Sequence, residues 1–587
     1  MPIICIMLLG DVSLNLVTCN HPRPIGSESV EQRLKSPGAE HRRPVLKNDS
    51  FENAESCWKV ILSNVKKNAH FLKEIEKFAR ENLTPAEITF GTSGWRGITG
   101  ADFTFNHVRI VTLAIIEMFR SGNNELLAAL GVKDFDETKR RGVIVGHDNR
   151  FLGREFSSAV MGLLRNEGIK VYYAGEATTP EFSAAIDMLH AACSINLTPS
   201  HNPANYSGFK FNPSDGGPAG PEITKVIEKY SNKLITDKAA IPDIMPEGID
   251  IINPIQLYED FLKKRGTLDL ETIRRFIREE DCFICIDHIH GATRGRPGAL
   301  LGENPKIRYL RVEDNYLFGG IPPEPSARNL TLVMDLLERN KSRFTLGVIM
   351  DPDGDRIRFT DGTADISMNH FGGMALHFLH KYKKISGVLV KSVATSNFGN
   401  AIAEKLGIPI KETAVGFKNF RPYMLPNAKE RAIVTYEESD GISGYNNTLE
   451  KDALFGLLLA IEMMAVTRKN IGEYLRELED TFGAYYPERA SVEVERSLAG
   501  APLLKKLSSL NNTLSVGNRL TIGKNSRNIK SVITVDGIKV VLDDGSWFLI
   551  RPSGTEPKVR FYVETRSPEE LEHIVQTAEK LTREAIK

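Results

Sequence analysis

Cysteine is scarce: the chain has six in 587 residues, at positions 5, 19, 57, 193, 282 and 285. They form no regular framework, which excludes a disulfide-stapled scaffold and points to a reducing compartment. Cys282 and Cys285 make a single C-x-x-C inside the apolar run Cys282-Phe283-Ile284-Cys285-Ile286, and no second pair completes a zinc site. Excess charge is also missing. Lys plus Arg and Asp plus Glu both number 75, so no nucleic acid and no anionic membrane has an electrostatic claim on the whole chain. Long apolar runs are absent too. Asp11 interrupts the first, no Lys or Arg precedes it, and no other stretch approaches the roughly 18 uncharged residues of a membrane span. Nucleotide fingerprints are lacking as well. Gly91–Gly97 contains no G-x-G-x-x-G, and the Gly517–Lys524 stretch is one residue too long for a P-loop, with Asn525 where Ser or Thr is required.

What remains is the composition of a globular protein with sizeable cores, 41% hydrophobic and 26% charged. At about 150 residues per domain the length predicts roughly four domains. Residues 1–50 are expected to form a disordered extension, since residues 21–50 are rich in Pro, Arg, Glu and Ser. Residues 51–81 read as a helical lead-in, with Trp58, Ile61, Val65, Phe71, Ile75 and Phe78 on one apolar side. Strand-like runs then alternate with helical spacing at Gly142–Gly146, Val171–Ala174, Phe283–Asp287, Thr345–Met350, Gly387–Lys391 and Arg431–Tyr436, which predicts α/β units with parallel strands. The last hundred residues place short strands before a helix over about 567–586, an α+β pattern. Polar or Pro-containing links near 236–254 and 484–500 mark unit boundaries, and the expected bounds are 82–240, 241–366 and 367–483 for three α/β units, and 484–587 for the last.

Five short segments carry chemistry. Thr198-Pro199-Ser200-His201-Asn202-Pro203 holds one hydroxyl between two prolines, each of which narrows the backbone around it. A turn without chemistry fits this piece alone equally well. Asp351-Pro352-Asp353-Gly354-Asp355-Arg356 follows an apolar strand and sets alternate carboxylates where they can share one hard cation. Magnesium is the better fit, because the twelfth position of a calcium loop, where Glu is needed, is Gly362. Arg551-Pro552-Ser553-Gly554-Thr555-Glu556-Pro557-Lys558-Val559-Arg560 packs guanidinium groups and hydroxyls suited to a phosphate dianion. Glu437-Glu438-Ser439-Asp440-Gly441 can bond vicinal sugar hydroxyls, and a charged surface turn fits it equally. Gly91-Thr92-Ser93-Gly94-Trp95-Arg96-Gly97 is a glycine-rich turn carrying one arginine. Together, with no nucleotide site beside them, they suit phosphoryl transfer in which the protein stores the phosphoryl group.

In this order these segments resemble the α-D-phosphohexomutase superfamily over about residues 82–587. Gly208-Phe209-Lys210-Phe211-Asn212-Pro213, Gly216-Gly217-Pro218-Ala219, Val415-Gly416-Phe417-Lys418 and Glu437-Glu438-Ser439 make the resemblance strongest to phosphoglucomutases. The phosphomannomutase type usually has Met in the second acidic position of the sugar loop, which here is Glu438. The resemblance implies four domains around a central cleft, three related α/β domains with mixed sheets and a small α+β domain. It implies a phosphoserine at Ser200, with Asp351, Asp353 and Asp355 binding one Mg²⁺ together with it. Lys210 would transfer protons, and Arg96 and His201 would line the reacting centre. Arg356 and Lys418 would face the ligand, and Glu437 and Ser439 the sugar hydroxyls. Arg551, Ser553, Gly554, Thr555 and Arg560 would hold the distant phosphate.

The implied reaction interconverts glucose 1-phosphate and glucose 6-phosphate, with glucose 1,6-bisphosphate as intermediate and activator. A phosphomannomutase or another phosphohexomutase or phosphopentomutase is the serious alternative. A non-catalytic phosphosugar-binding relative is a remote one, and an aspartate-nucleophile phosphatase leaves two loops unexplained. The expected partner is a phosphorylated hexose, with no nucleic acid and no membrane, in a monomer or dimer. A sequon at Asn196-Leu197-Thr198 almost touches the proposed nucleophile, where a glycan would obstruct the cleft, so a cytoplasmic location is expected.

Overall fold

The computed structural model describes residues 51–587 apart from 239–240, 496–497, 499 and 554–557, so the expectation for residues 1–50 lies outside the described residues. Among the described residues, four sheets organise the chain. The first has seven strands, in the order Phe90–Gly91, Gly94–Ile98, Tyr206–Pro213, Cys193–Leu197, Val143–His147, Val171–Glu176 and Asp250–Ile251. Its centre is parallel and Tyr206–Pro213 joins it antiparallel, so the sheet is mixed. Val143-Ile144-Val145 and Cys193–Leu197 are buried because helices cover both faces, which is why they read as unbroken apolar runs. Residues 241–253 belong with this sheet: Asp250–Ile251 pairs with Tyr172 and Tyr173, beyond the boundary expected at 240. Ile251 is exposed on the edge, so no apolar alternation marked the pairing.

The second sheet runs Asp365–Ile366, Ile357–Thr360, Phe344–Met350, Cys282–Asp287, Ile307–Leu310, and the third Ile410–Thr413, Val388–Ser392, Ala432–Glu437, Gly441–Gly444. Both are parallel at the centre and antiparallel at one edge. They share one core, into which the helix Ala453–Thr467 is sunk. That helix is apolar all round because protein surrounds it. The fourth sheet is wholly antiparallel, with the helix Leu571–Ile586 against it. Its first strand, Tyr486–Glu493, occupies the stretch that reads from sequence as a polar link, since an edge strand exposes alternate polar residues. The α/β class with a terminal α+β unit is therefore the fold observed. Among the described residues no helix is long and apolar enough to cross a membrane.

The lead-in is two helices, Ala54–Ser63 and Leu72–Glu81, with a short turn of helix between them. Asn64 breaks it. Its backbone leaves the helical region and its side chain caps the Lys67 amide, a bond that Asn makes more readily than it sits inside a helix. Trp58 and Ile61 pack with Ala204, Ile289 and Phe318, and Trp58 Nε1 donates to the Thr99 carbonyl at 2.9 Å. The lead-in thus supports the segment just after the serine loop.

In each of the three mixed sheets the candidate loop leaves the carboxyl end of an inner strand: Ser200 after Cys193–Leu197, Asp351 after Phe344–Met350, Glu437 at the end of Ala432–Glu437. Such ends form the crevice where α/β folds bind ligands. Gly208 sits against the serine loop, and a Cβ there would lie 2.4 Å from the Thr198 carbonyl oxygen. Gly208→Ala is therefore expected to cost about 1–3 kcal/mol, as overpacked sites do. Urea unfolding measures it, and an unshifted midpoint would show that the loop yields freely.

Candidate active site

Ser200 has φ of +57°, a left-handed conformation that few residues with a Cβ adopt. Two buried groups hold it there. The Ser200 amide donates to Thr198 Oγ1 at 2.9 Å, and that hydroxyl donates to Asp148 Oδ2 at 2.6 Å. The Arg150 guanidinium donates to the carbonyls of Ser200 at 2.6 Å, Asn202 at 2.5 Å and Pro203 at 2.7 Å. Arg150 also pairs with Asp148, Nε to Oδ2 3.3 Å. Burial pushes the Asp148 carboxyl up to about 7 against the pull of Arg150 and the Thr198 hydroxyl. Neither Asp148 nor Arg150 stood out in the sequence. The available signal was an Asp-Asn-Arg run directly after the buried strand Val143–His147.

Asp351, Asp353 and Asp355 are wholly buried, and one carboxylate oxygen of each lies within 4.8 Å of the others. Ser200 Oγ donates to Asp351 Oδ2 at 2.7 Å. Asp351 Oδ1 accepts the Asp355 and Arg356 amides, each at 3.0 Å. Asp353 Oδ2 accepts from Thr179 Oγ1 at 2.8 Å and Lys210 Nζ at 2.6 Å, and Asp355 Oδ2 lies 3.0 Å from Lys210 Nζ and 3.1 Å from Lys451 Nζ. Asp353 Oδ1 and Asp355 Oδ1 are buried and accept no hydrogen bond. Three carboxylates converging in a dry site repel one another, a cost that a bound cation would relieve. The two unbonded oxygens, with Asp351 Oδ2 and the serine hydroxyl, are an all-oxygen donor set that fits a hard divalent ion.

The electrostatics follow from this crowding. Burial and the charges of Asp353 and Asp355 push the Asp351 carboxyl well above the usual range. Against burial, Lys210 and Lys451 hold Asp355 well below it. Burial opposes the Lys210 charge, but Asp353 and Asp355 outweigh it and keep the ammonium protonated. The Thr179–Leu189 helix starts at this site, its Thr179 amide donating to the Asp353 carbonyl at 2.8 Å.

The remaining candidates divide. Arg96 Nη1 donates to Asn202 Oδ1 at 2.7 Å, and burial, then repulsion from Arg356, draws its guanidinium down to about 10. His201 Nδ1 lies 3.3 Å from Ser200 Oγ; burial, Arg356 and Arg96 hold the ring neutral. Arg356 is paired with Asp355, Nε to Oδ1 3.7 Å, and feels Glu437 as well. Glu437 is buried with Oε2 unbonded; burial raises its carboxyl, opposed by Lys451 and a hydrogen bond from Ser439. Ser200, Lys210, His201, Arg96, the three aspartates, Arg356, Glu437 and Ser439 thus form one neighbourhood. Lys418, half-buried in the turn Phe417–Phe420, bonds no described residue.

Arg551 and Arg560 stand opposite one another on paired strands of the fourth sheet. The Ser553 amide donates to the Lys558 carbonyl at 2.8 Å, and Gly554 and Thr555 lie outside the described residues.

Lys451, like Asp148 and Arg150, is a candidate that sequence reasoning missed. It reaches Asp355 across Gly441, where any Cβ would lie 2.3 Å from the lysine Cδ. Its signal was the charged triplet Glu450-Lys451-Asp452 set directly before the strongly apolar helix Ala453–Thr467. A bound hydroxyl on a carboxylate cluster, flanked by buried lysines and arginines, can accept and return a phosphoryl group.

Family models described as phosphoglucomutase/phosphomannomutase, alpha/beta/alpha domain I, alpha/beta/alpha domain III and C-terminal domain match residues 87–237, 367–482 and 502–581. A phosphoglucomutase/phosphomannomutase of Thermococcus kodakarensis is 27% identical over 515 residues, covering 85% of this chain and 99% of its own. A phosphoglucomutase of Staphylococcus haemolyticus is 23% identical over 516 residues, 81% of this chain and 90% of its own. Among solved structures, a Thermus thermophilus chain assigned as a phosphomannomutase matches with a TM-score of 0.68 at 28% identity, covering 85% of this chain and all of that one.

Proposed function

For a chain that belongs to the phosphoglucomutase/phosphomannomutase family of the α-D-phosphohexomutase superfamily, and is thereby an intramolecular phosphotransferase, we propose interconversion of glucose 1-phosphate and glucose 6-phosphate. The supporting observation is the contact of Ser200 Oγ with Asp351 at 2.7 Å, beside two buried carboxylate oxygens that accept no hydrogen bond. The working enzyme carries its phosphoryl group on Ser200. That group passes to the 6-hydroxyl of glucose 1-phosphate, the P–Oγ bond breaking as the new P–O bond forms, to give glucose 1,6-bisphosphate. The intermediate turns over, and its 1-phosphoryl group returns to Ser200, leaving glucose 6-phosphate.

Ser200, Asp351, Asp353 and Asp355 are the residues to hold one Mg²⁺ per chain, which when bound supplies Lewis-acid neutralisation of the transferring group. The chain's own residues do the rest. Lys210, bridging Asp353 and Asp355, holds the proton that Ser200 Oγ needs as the phosphoryl group leaves, and regains it from the sugar hydroxyl. Arg96, Arg356 and neutral His201 face the developing charge. Glu437 and Ser439 orient the sugar ring, and Lys418 faces the ligand. Arg551, Ser553, Gly554, Thr555 and Arg560 hold whichever phosphate is distant from Ser200.

Glucose is favoured over mannose by the Glu437-Glu438-Ser439 sugar loop and by the phosphoglucomutase names among the relatives. A coupled assay with glucose, mannose and glucosamine 1-phosphates tests the choice. Because reading one hydroxyl by hydrogen bonding separates substrates by well over tenfold, glucose 1-phosphate is expected to lead in kcat/KM by at least about tenfold. A lead for mannose 1-phosphate would replace this reading with the phosphomannomutase one.

A further inference from the structure

The phosphate-cradle arginine and the Lys418 turn belong to different sheets, yet one carboxylate holds both. Asp536 lies in the turn between Asn525–Ile533 and Ile538–Leu542. Its Oδ2 accepts from Arg551 Nε at 2.8 Å and from the Val415 amide at 3.0 Å. Val415 leads straight into the Phe417–Phe420 turn that carries Lys418. The surroundings on both sides are stiff. Gly537 sits at φ of +99° with the Ile550 carbonyl 2.4 Å from where a Cβ would be, and Asn419 Nδ2 bonds the Ala414 and Val415 carbonyls at 3.1 and 3.2 Å. Oδ2 therefore cannot follow one partner without releasing the other. The Arg551 bond is charge-assisted, the stronger kind, and it fixes the plane of the guanidinium that the cradle presents.

We propose that Asp536 is a positioning residue that makes the phosphate cradle and the Lys418 turn one unit, so that seating a sugar phosphate on Arg551 and docking of the fourth sheet on the third reinforce each other. This rests on the mutase reading of the cradle. Other bonds at the same junction touch no candidate ligand group: Lys539 Nζ donates to the Val393 carbonyl at 2.8 Å, and Glu564 accepts the Asn397 amide at 3.0 Å. They supply the control.

The test compares wild type, Asp536→Asn, Asp536→Ala and Lys539→Met, by steady-state kinetics on glucose 1-phosphate and by amide exchange at residues 415–418 with and without glucose 6-phosphate. Asp536→Ala is expected to raise KM about 10- to 100-fold, the range for losing a hydrogen bond to a charged group, with kcat within about twofold. Asp536→Asn, which still accepts from the Val415 amide, should recover part of that loss. Glucose 6-phosphate should slow exchange at 415–418 in wild type and Lys539→Met but not in Asp536→Ala. An unchanged KM in Asp536→Ala, or a Lys539→Met profile identical to that of Asp536→Ala, would overturn the proposal. Exchange is read without turnover. A wild-type chain inactive on every hexose phosphate but protected at 415–418 by glucose 6-phosphate through Asp536 would sink the catalytic part of the mutase reading and keep the cradle as a sugar-phosphate site coupled to the Lys418 turn.

Discussion

Replacing Ser200 with alanine is expected to lower kcat on glucose 1-phosphate on the order of a millionfold, the scale of loss when an activated serine nucleophile is removed. The size of the effect comes from the route. Without the hydroxyl the protein has nowhere to store the phosphoryl group, and positioning of a bound sugar cannot substitute for that bond. The variant should otherwise fold normally. The Arg150 bonds go to backbone carbonyls, and Thr198 bonds the backbone amide at position 200, so neither needs the serine side chain. Kinetics with added glucose 1,6-bisphosphate, together with intact-mass measurement of phosphate on the wild type and its absence from the variant, check both halves. Rapid turnover by Ser200→Ala would end the phosphoserine mechanism.

Metal removal is the second large effect. Chelation should cost about a thousandfold in kcat, since a Lewis acid at a transferring phosphoryl group is worth several kcal/mol and each 1.36 kcal/mol is tenfold. Mg²⁺ should restore it. Asp353→Asn is expected to lose activity to a similar degree and not be rescued by excess Mg²⁺, because Asp353 Oδ1 is a buried oxygen of the cluster that accepts no hydrogen bond. Binding should also be visible without turnover. An ion that binds only the folded chain adds about 2.7 kcal/mol of stability at a hundred times its Kd, so Mg²⁺ should raise Tm in the wild type and not in Asp353→Asn. Full activity after exhaustive chelation would remove the metal from the mechanism.

Which parts were legible in the sequence follows from how local their physics is. The serine and aspartate loops stand out because Pro199, Pro203 and Gly354 shape the backbone within six residues, and the preceding strands are plainly apolar. Parallel sheets were visible for the same reason, being buried on both faces. Edge strands were not: Tyr486–Glu493 and Asp250–Ile251 are exposed enough to resemble links. Asp148, Arg150 and Lys451 were missed because each acts at a site supplied by distant chain. Arg150 is 50 residues from the loop it pins, and Lys451 meets Asp355 only because Gly441 leaves it a passage. A lone charged residue carries no local mark of such a destination.

The left-handed backbone of Ser200 has an implication for anyone breeding this protein toward heat resistance. Glycine takes that conformation freely, whereas a residue with a Cβ forfeits roughly 1–2 kcal/mol there. Ser200→Gly would relieve that strain, but it discards the hydroxyl and with it the 2.7 Å bond to buried Asp351, a loss of the same order. A campaign scored on melting temperature alone therefore has little reason to keep the serine, and only a screen that also reads turnover would hold it.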